Sequence, residues 1–219
     1  LRNDVLVIAV HPDDETLGCG GTLLKHKNNG DNIHWLICTS IEENHTYYAK
    51  RKEEIKKVSN MYGFKSVHEL NLKTMRVDEY TMSDLISKIS HIINEIKPNI
   101  IYLPFKTDVH SDHRKIFEAS FSCTKSFRYP FIKKILMMET LSETEFAPST
   151  KEDSFIPNTF IDISKYIDEK IKIMEVFESE ISKHPFPRSI TNIKALATLR
   201  GATSNCEFAE SFILLKSIE

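Results

Sequence analysis

The amino-acid sequence predicts an α/β fold of the Rossmann-like kind, with a mostly parallel sheet, helices on both faces and a C-terminal cap. Short apolar runs alternate with helical patterns along the first two thirds of the chain, which is typical of strands joined by crossover helices. The runs are almost continuously apolar, as in strands that are buried on both faces. The chain has 219 residues, 41% of them hydrophobic, which suits one domain of ordinary size.

Five strands are predicted in the first 140 residues, each from an apolar run bounded by polar or turn-forming residues. In chain order they cover Val5–Val10, Ile33–Thr39, Val67–Leu72, Ile100–Leu103 and Ile132–Met138. Right-handed crossovers restrict the topology to a few strand orders, and the commonest is 3-2-1-4-5. We therefore expect the first and fourth strands to be neighbours in the sheet.

Four helices are predicted between these strands. They cover Thr16–Asn29, Ala49–Tyr62, Met82–Ile96 and a segment that extends approximately from His113 to Thr124. The first is expected to end at the Asn29-Gly30-Asp31 turn and the second at Gly63. The third has leucine and isoleucine residues at helical spacing along one face, and Pro98 follows it.

The last third of the chain is less regular, and we interpret residues 141–219 as a cap on a core of residues 1–140 within one domain. The predicted elements are a short strand at Phe160–Ile163, a helix at Ser164–Ser182, a helix at Ile190–Arg200 and a final strand at Phe208–Leu215. Ser164 is expected to cap the first of these helices and Gly201 to end the second. The segment His184–Arg188 contains two prolines and is expected to form a rigid loop.

Composition and charge argue against several classes of protein. The 29 basic and 31 acidic residues give a net charge of -2, which does not favour a nucleic-acid-binding protein. No segment approaches the roughly 18 consecutive apolar residues of a membrane helix, and the first residues lack a signal-peptide pattern. Cys19, Cys38, Cys123 and Cys206 are scattered, so we expect neither a cysteine-rich zinc site nor a disulfide framework. These features favour a cytoplasmic protein.

Two polar clusters follow the first and fourth predicted strands. The first strand runs directly into His11-Pro-Asp-Asp-Glu15, and Asp108-Val-His-Ser-Asp-His113 follows the fourth. The carboxyl ends of these two strands meet at the switch point of such a sheet, where ligands bind. Adjacent carboxylates and imidazoles at a strand end must be hydrated, paired or bound to a cation. We therefore expect the two clusters to form one metal site.

The residue types in these clusters suit a hydrolytic metal centre. A catalytic zinc needs about three protein ligands and an open position for water, and His11, Asp14 and His113 supply two imidazoles and a carboxylate. Asp13 is then free to act as general base on a water molecule that the metal activates. His110 would stabilise the oxyanion as an imidazolium or donate a proton to the leaving group. The cofactor is expected to be Zn²⁺, with Fe²⁺ or another divalent ion as alternatives.

Each feature taken alone also has a purely structural explanation. Acids near the start of a helix are favoured by its dipole, and we expect Glu15 to order the turn or cap the helix. A single histidine such as His110 is more often a surface loop residue. Gly18-Cys-Gly-Gly21 lacks the GxGxxG pattern of a dinucleotide-binding loop, so close packing of a helix on the sheet explains its small residues better. Arg51-Lys-Glu-Glu54 is either a solvated helix face with i,i+3 pairing or a substrate contact.

Two of these motifs are specific enough to indicate a family. Ala9-Val-His-Pro-Asp-Asp-Glu15 is followed by Gly18-Cys-Gly-Gly-Thr22, and His110-Ser-Asp-His113 lies downstream. Together they resemble the PIG-L / LmbE-like family of zinc-dependent de-N-acetylases, which act on N-acetylglucosamine-type sugars. Weaker matches lie at Arg51–Glu54, Arg200–Ala202 and Phe208–Glu210, whereas Glu207 stands where many members have a glycine or another small residue.

The resemblance implies a role for each residue of the site. The implied roles are metal ligands at His11, Asp14 and His113, a general base and acid at Asp13, an oxyanion stabiliser at His110, and substrate contacts at Arg51, Asp112 and Arg188.

We therefore expect metal-dependent hydrolysis of the acetamido group of a small N-acetylated sugar, with release of acetate. The sugar could be free, nucleotide-linked or part of a glycoconjugate. The sequence does not determine the oligomeric state, and a homo-oligomer is one possibility. We expect no nucleic-acid partner and no integral membrane segment. Two alternatives remain: a non-haem Fe(II) enzyme that uses the same two histidines and one carboxylate, and a catalytically silent sugar-binding module. The alternation of strands and helices argues against the oxygenase, whose usual scaffold is all-β.

Overall fold

Within the part of the chain that the structure describes, the fold is a seven-stranded sheet with helices against both of its faces. The computed structural model describes residues 2–219. The strands are β1 (Asp4–Ala9), β2 (Asn32–Ser40), β3 (Ser66–Lys73), β4 (Ile100–Leu103), β5 (Lys134–Met138), β6 (Thr159–Asp162) and β7 (Ala209–Ser217). The helices are α1 (Asp14–Asn28), α2 (Tyr48–Tyr62), α3 (Met82–Ile96), α4 (Ser111–Ser122), α5 (Ile167–Met174) and α6 (Ile190–Ser204).

The strand order is β3-β2-β1-β4-β5-β7-β6. The first five strands run parallel to their neighbours, which confirms the predicted order 3-2-1-4-5. β7 pairs antiparallel with both β5 and β6. The last third of the chain therefore extends the sheet by two strands, in addition to covering it with α5 and α6.

Alternate residues of β1 pack on opposite faces of the sheet. Val5, Val7 and Ala9 belong to a buried cluster that includes side chains of α1, α2, α5 and α6. Leu6 and Ile8 belong to a second cluster with side chains of α3 and α4. All five side chains are completely buried. Two packed layers therefore hold β1 in place, and with it the polar turn that follows.

The glycines near the start of α1 allow the close helix packing that their sequence predicted. A Cβ atom on Gly18 would lie 2.6 Å from the sulfur of Met138, and one on Gly21 would lie 2.7 Å from side-chain atoms of Ile163. Neither position has room for a side chain.

The predicted helix Ser164–Ser182 is wrong at both ends, because α5 covers only Ile167–Met174. Ser164 is not its cap. The Ser164 hydroxyl donates to the Asp162 carboxylate at 2.6 Å and accepts the Phe208 N–H at 3.1 Å, so it joins the ends of β6 and β7. The helix ends at Met174, and the side chain of Phe177, just after it, is completely buried in the core.

Gly201 lies inside α6 and does not end it, contrary to the prediction. The helix continues to Ser204, and Asn205 follows in the left-handed conformation, with φ 59°, that often ends a helix. A Cβ atom on Gly201 would lie 2.6 Å from the carbonyl oxygen of Glu207 and 2.7 Å from that of Cys206. Glycine is needed here because the segment that leads into β7 passes directly against the helix.

Candidate active site

The turn after β1 and the segment after β4 lie side by side at the carboxyl edge of the sheet. β1 pairs with β4, with Val5 opposite Ile100. Residues 11–13 lead into α1, which begins at Asp14, and residues 108–110 lead into α4, whose N-cap is His110. The ring centroids of His11 and His113 are 5.2 Å apart. The structure therefore brings the two predicted clusters together.

Three predicted ligand atoms converge on one point. His113 Nε2 lies 3.3 Å from His11 Nδ1 and 3.3 Å from Asp14 Oδ2, and the latter two atoms are 3.8 Å apart. Donor atoms at about 2.0–2.1 Å from a tetrahedral zinc ion are about 3.3–3.4 Å from one another. Two imidazole nitrogens and one carboxylate oxygen at this spacing fit a divalent cation that keeps an open coordination position.

A buried carboxylate orients the ring of His113. Its Nδ1 lies 2.9 Å from Asp108 Oδ2, which leaves Nε2 to face the other two ligand atoms. Thr144 donates to the second oxygen of Asp108 at 2.7 Å. A partner of this kind fixes the tautomer of a ligating histidine and raises its basicity. Asp108 belongs to the predicted polar cluster, but the sequence suggested no role for it.

Asp112 contacts the ring of His11, as Asp108 contacts the ring of His113. We expected Asp112 to contact the substrate, but its side chain is completely buried. One of its oxygens lies 3.4 Å from His11 Nε2 and accepts the Met75 N–H at 2.7 Å, and the other accepts the Val77 N–H at 3.2 Å. The carboxylate therefore couples the His11 ring to the loop after β3 and does not form a wall of the cavity.

The charges of the three predicted ligand residues influence one another. Burial by itself would lower the pKa of His113, but the Asp14 and Asp108 carboxylates raise it well above its usual value. Burial would raise the pKa of Asp14, but His113 and His11 lower it far more. The Asp14 carboxylate also accepts the N–H groups of Val10 at 3.0 Å and His11 at 2.8 Å. A cation that binds here must therefore compete with a proton on His113.

The backbone of Asp13 adopts a conformation that is rare for residues other than glycine, with φ 131°. The Asp13 N–H donates to Glu15 Oε2 at 3.0 Å, and the Thr16 hydroxyl donates to the other oxygen of Glu15 at 2.6 Å. With these two hydrogen bonds Glu15 orders the turn, which is one of the two roles considered for it from the sequence. Backbone strain of this kind costs about 1–3 kcal/mol and is concentrated at functional sites.

The carboxylate of Asp13 lies in the wall of a cavity, but only 6% of the residue is exposed. Burial and the neighbouring Asp14 and Glu180 carboxylates raise the pKa of Asp13 well above its usual value. Arg188, whose Nε is 4.0 Å from Asp13 Oδ2, offsets part of this effect. A carboxylate with a raised pKa is a stronger base toward water than an exposed one.

The ring of His110 lies next to that of His11, with centroids 4.7 Å apart. Burial and the proximity of His11 lower the pKa of His110 to about 4. Its Nδ1 accepts the Asp112 N–H at 3.1 Å, so the neutral ring carries its proton on Nε2. The geometry favours a neutral hydrogen-bond donor over the imidazolium considered from the sequence.

Two arginines of the cavity wall share Glu180. Arg51 pairs with the Glu180 carboxylate, and its Nε lies 3.4 Å from Glu54. Arg188 donates to the Glu180 carbonyl oxygen at 2.7 Å and to the Ser142 hydroxyl at 2.7 Å. The sequence pointed to both arginines but missed Glu180, which lies in the irregular last third. Contact of either arginine with a substrate stays a prediction.

The cavity has a volume of about 240 Å³. The polar part of its wall includes His11, Asp13, Asp14 and His110, and the apolar part includes Met75. Pockets for drug-sized ligands measure about 300–1,000 Å³. This cavity is therefore slightly smaller than a pocket for a drug-sized ligand.

Comparison with known proteins gives the family. The model of the PIG-L family, described as GlcNAc-PI de-N-acetylase, matches residues 6–124, more than half of the chain. The chain belongs to the PIG-L family. Among relatives of this PIG-L protein, the diacetylchitobiose deacetylase of Thermococcus kodakarensis is 25% identical over 230 residues, which cover 98% of this chain and 84% of the relative.

Solved structures show the same fold. The conserved protein TT1542 from Thermus thermophilus superposes with a TM-score of 0.80 at 21% identity, over 100% of this chain and 97% of that one. GalB, the 4-carboxy-2-hydroxymuconate hydratase from Pseudomonas putida KT2440, superposes with a TM-score of 0.75 at 14% identity, over 100% and 98% of the two chains. Because one of these neighbours is a hydratase, the fold by itself does not specify the reaction of this PIG-L protein.

Within residues 2–219, no helix of this PIG-L protein combines the length and the apolar character that crossing a membrane requires.

Proposed function

We propose that this protein is a metal-dependent hydrolase that removes the acetyl group from an N-acetylated sugar or sugar conjugate and releases acetate. The observation that supports this most is the spacing of the His11, Asp14 and His113 donor atoms, at 3.3, 3.3 and 3.8 Å, beside the carboxylate of Asp13. Membership of the PIG-L family, together with the name of the diacetylchitobiose deacetylase relative, supports an acetylated amino sugar as the substrate.

The proposed cofactor is Zn²⁺, with Fe²⁺ or another divalent ion as alternatives, and His11, Asp14 and His113 would hold it. A divalent cation held by these residues would act as a Lewis acid, which would polarise the amide carbonyl and lower the pKa of a bound water molecule. Asp108 and Asp112 keep the two imidazole rings in the orientation that metal binding requires.

Asp13 acts first as general base and then as general acid. It accepts a proton from the attacking water as the new C–O bond forms at the acetyl carbon. It then delivers a proton to the sugar nitrogen as the C–N bond breaks, so that the products are acetate and the free amine. Burial and the Asp14 and Glu180 carboxylates raise the pKa of Asp13, which strengthens it as a base in the first step and lets it hold the proton for the second.

His110 stabilises the oxygen of the acetyl group as it gains negative charge. Its Nδ1 is engaged by the Asp112 N–H, so Nε2 carries the proton of the neutral ring and is the hydrogen-bond donor. Arg51 and Arg188 bind the sugar hydroxyl groups or a substituent outside the acetamido group. The cavity of about 240 Å³ takes the acetylated sugar unit, and any attached group extends beyond its mouth.

Acetate release tests this proposal. Chelator-treated protein, with and without added Zn²⁺, is incubated with N-acetylglucosamine, N,N′-diacetylchitobiose or UDP-N-acetylglucosamine, and acetate is measured with a coupled enzyme assay. We expect acetate only when metal is added. Metal-loaded protein that releases no acetate from any of these compounds would refute the proposal. Oxygen consumption would then support the Fe(II) oxygenase, and sugar binding without turnover would support the silent binding module.

A further inference from the structure

Helix α1 breaks one turn after the residues of the proposed active site. Cys19 has φ −148° and ψ 22°, outside the helical region, so the helix consists of a short segment, Asp14–Gly18, and a longer one, Gly20–Asn28. Asp14 begins the short segment, and Asp13 immediately precedes it. The direction of this short segment therefore determines where both carboxylates lie.

A buried ion pair supplies hydrogen-bond partners at the break. In a regular α-helix the Gly21 N–H would donate to the Leu17 carbonyl oxygen. Here the Leu17 carbonyl accepts from Lys170 Nζ at 2.9 Å, and the N–H groups of Gly21 and Thr22 donate to the Glu210 carboxylate at 2.9 and 2.8 Å. Lys170 Nζ and Glu210 Oε1 are themselves 2.7 Å apart.

The charges of the pair match the helix ends that they contact. Glu210 lies at the amino end of the longer segment, where negative charge is favourable, and Lys170 lies at the carboxyl end of the short segment, where positive charge is favourable. Lys170 is 4% exposed and Glu210 5% exposed. Burial of two charges is costly, and replacement of such a pair by apolar residues is often neutral or stabilising. Stability by itself is therefore a weak explanation for this pair.

We infer that Lys170 and Glu210 are positioning residues for Asp13 and Asp14: they maintain the break at Cys19 and so fix the short segment of α1 beside the metal site. The inference rests on the proposed function, because it assigns metal binding to Asp14. The ion pair is connected to the cavity by Leu17. Lys170 Nζ donates to the Leu17 carbonyl oxygen, and Leu17 lines the cavity wall.

The test is the metal affinity of a charge-neutral double variant, Lys170→Met with Glu210→Gln. Removal of both charges avoids leaving one of them buried and unpaired, and glutamine keeps one acceptor for Gly21 or Thr22. We expect Zn²⁺ affinity, measured by competition with a chromophoric chelator, to fall by about 10- to 100-fold, as when other supports of metal ligands are removed. We also expect kcat to fall more than KM changes. Urea unfolding of the metal-free protein measures stability separately.

The matched control is Arg200→Met with Glu139→Gln. This second ion pair, with Nε and Oε2 2.9 Å apart, joins α6 to the residue after β5, and Glu139 also accepts from Ser211. We expect its loss to leave Zn²⁺ affinity unchanged, whatever its effect on stability in urea.

Wild-type affinity in the Lys170 and Glu210 double variant, or an equal loss in both double variants, would overturn the inference. If the first double variant does not fold, Glu210→Asp replaces it, because aspartate keeps the charge but shortens the reach to Gly21 and Thr22. The expected loss of affinity is then the same. Zn²⁺ affinity is measured without substrate, so a wild-type protein that releases no acetate would refute the proposed function and leave this test intact.

Discussion

Replacement of Asp108 by alanine should weaken metal binding without changing any residue of the cavity wall. Asp108 is completely buried, and its Oδ2 lies 2.9 Å from His113 Nδ1. A hydrogen bond to a charged group contributes about 1.5–3 kcal/mol. Loss of such a partner weakens metal affinity by about 10- to 100-fold, which corresponds to about 1.4–2.7 kcal/mol. The two estimates agree, so we expect a loss of this size for Asp108→Ala.

The size of this loss should depend on pH. The Asp14 and Asp108 carboxylates raise the pKa of His113, and a protonated imidazole cannot bind a metal ion. Removal of Asp108 takes away one of these carboxylates, so it lowers the pKa of His113 and reduces the competition from protons. The ratio of wild-type to variant affinity should therefore be largest at alkaline pH, where His113 is neutral in both proteins, and should decrease as the pH falls.

Competition of each protein with a chromophoric chelator for Zn²⁺, across a series of pH values, measures this ratio. Asp108→Asn is the control, because an amide oxygen can still accept from His113 Nδ1 while the charge is removed, and we expect an intermediate loss. Wild-type affinity of Asp108→Ala at alkaline pH, or a ratio that increases as the pH falls, would show that Asp108 does not support His113 as a ligand.

Three further variants test other parts of the structure. Asp13→Asn should lower kcat by about 100- to 10,000-fold and leave Zn²⁺ affinity unchanged; asparagine is chosen because it tolerates a positive φ better than alanine. Near-normal turnover of this variant would mean that another residue is the general base. Burial raises the pKa of Glu15 from 4.5 to about 7. The stabilisation of the folded state by protonation of Glu15 is therefore complete below pH 4.5 and is lost as the pH rises through 7. Glu15→Gln should therefore stabilise the metal-free protein against urea by up to about 3 kcal/mol above pH 7, and not at acidic pH. Gly201→Ala should cost about 1–3 kcal/mol in the same assay, because its Cβ would lie 2.6 Å from the Glu207 carbonyl oxygen; unchanged stability would mean that the segment before β7 can move away.

The parallel half of the sheet and the convergence of the two polar clusters could be predicted from the sequence because both depend on local patterns. Apolar runs such as Val5–Val10 define the strands, and the handedness of the crossovers leaves only a few strand orders, of which 3-2-1-4-5 is the commonest. Once β1 and β4 are neighbours, His11 and His113 must lie at the same edge of the sheet. No knowledge of a specific side-chain contact is needed for this step.

Several contacts that support the site could not be predicted because they join residues far apart in the chain. Glu210 binds the N–H groups of α1 across 188 and 189 positions, and Lys170 binds the Leu17 carbonyl across 153. Glu180 meets Arg51 across 129. Asp112 lies inside a correctly predicted cluster, yet its role was missed, because only the three-dimensional structure places its carboxylate behind the His11 ring.

The strain at Asp13 explains how two adjacent carboxylates come to have different chemistry. With φ 131°, the turn directs the Asp14 carboxylate to the ligand group, where His113 lowers its pKa, and leaves the Asp13 carboxylate in the cavity wall, where burial raises its pKa. Neighbouring acids whose pKa values are shifted in opposite directions can serve as one permanent anion and one proton acceptor. The hydrogen bond from Asp13 N–H to Glu15 holds this conformation, so the proposed division of roles between Asp13 and Asp14 depends on Glu15.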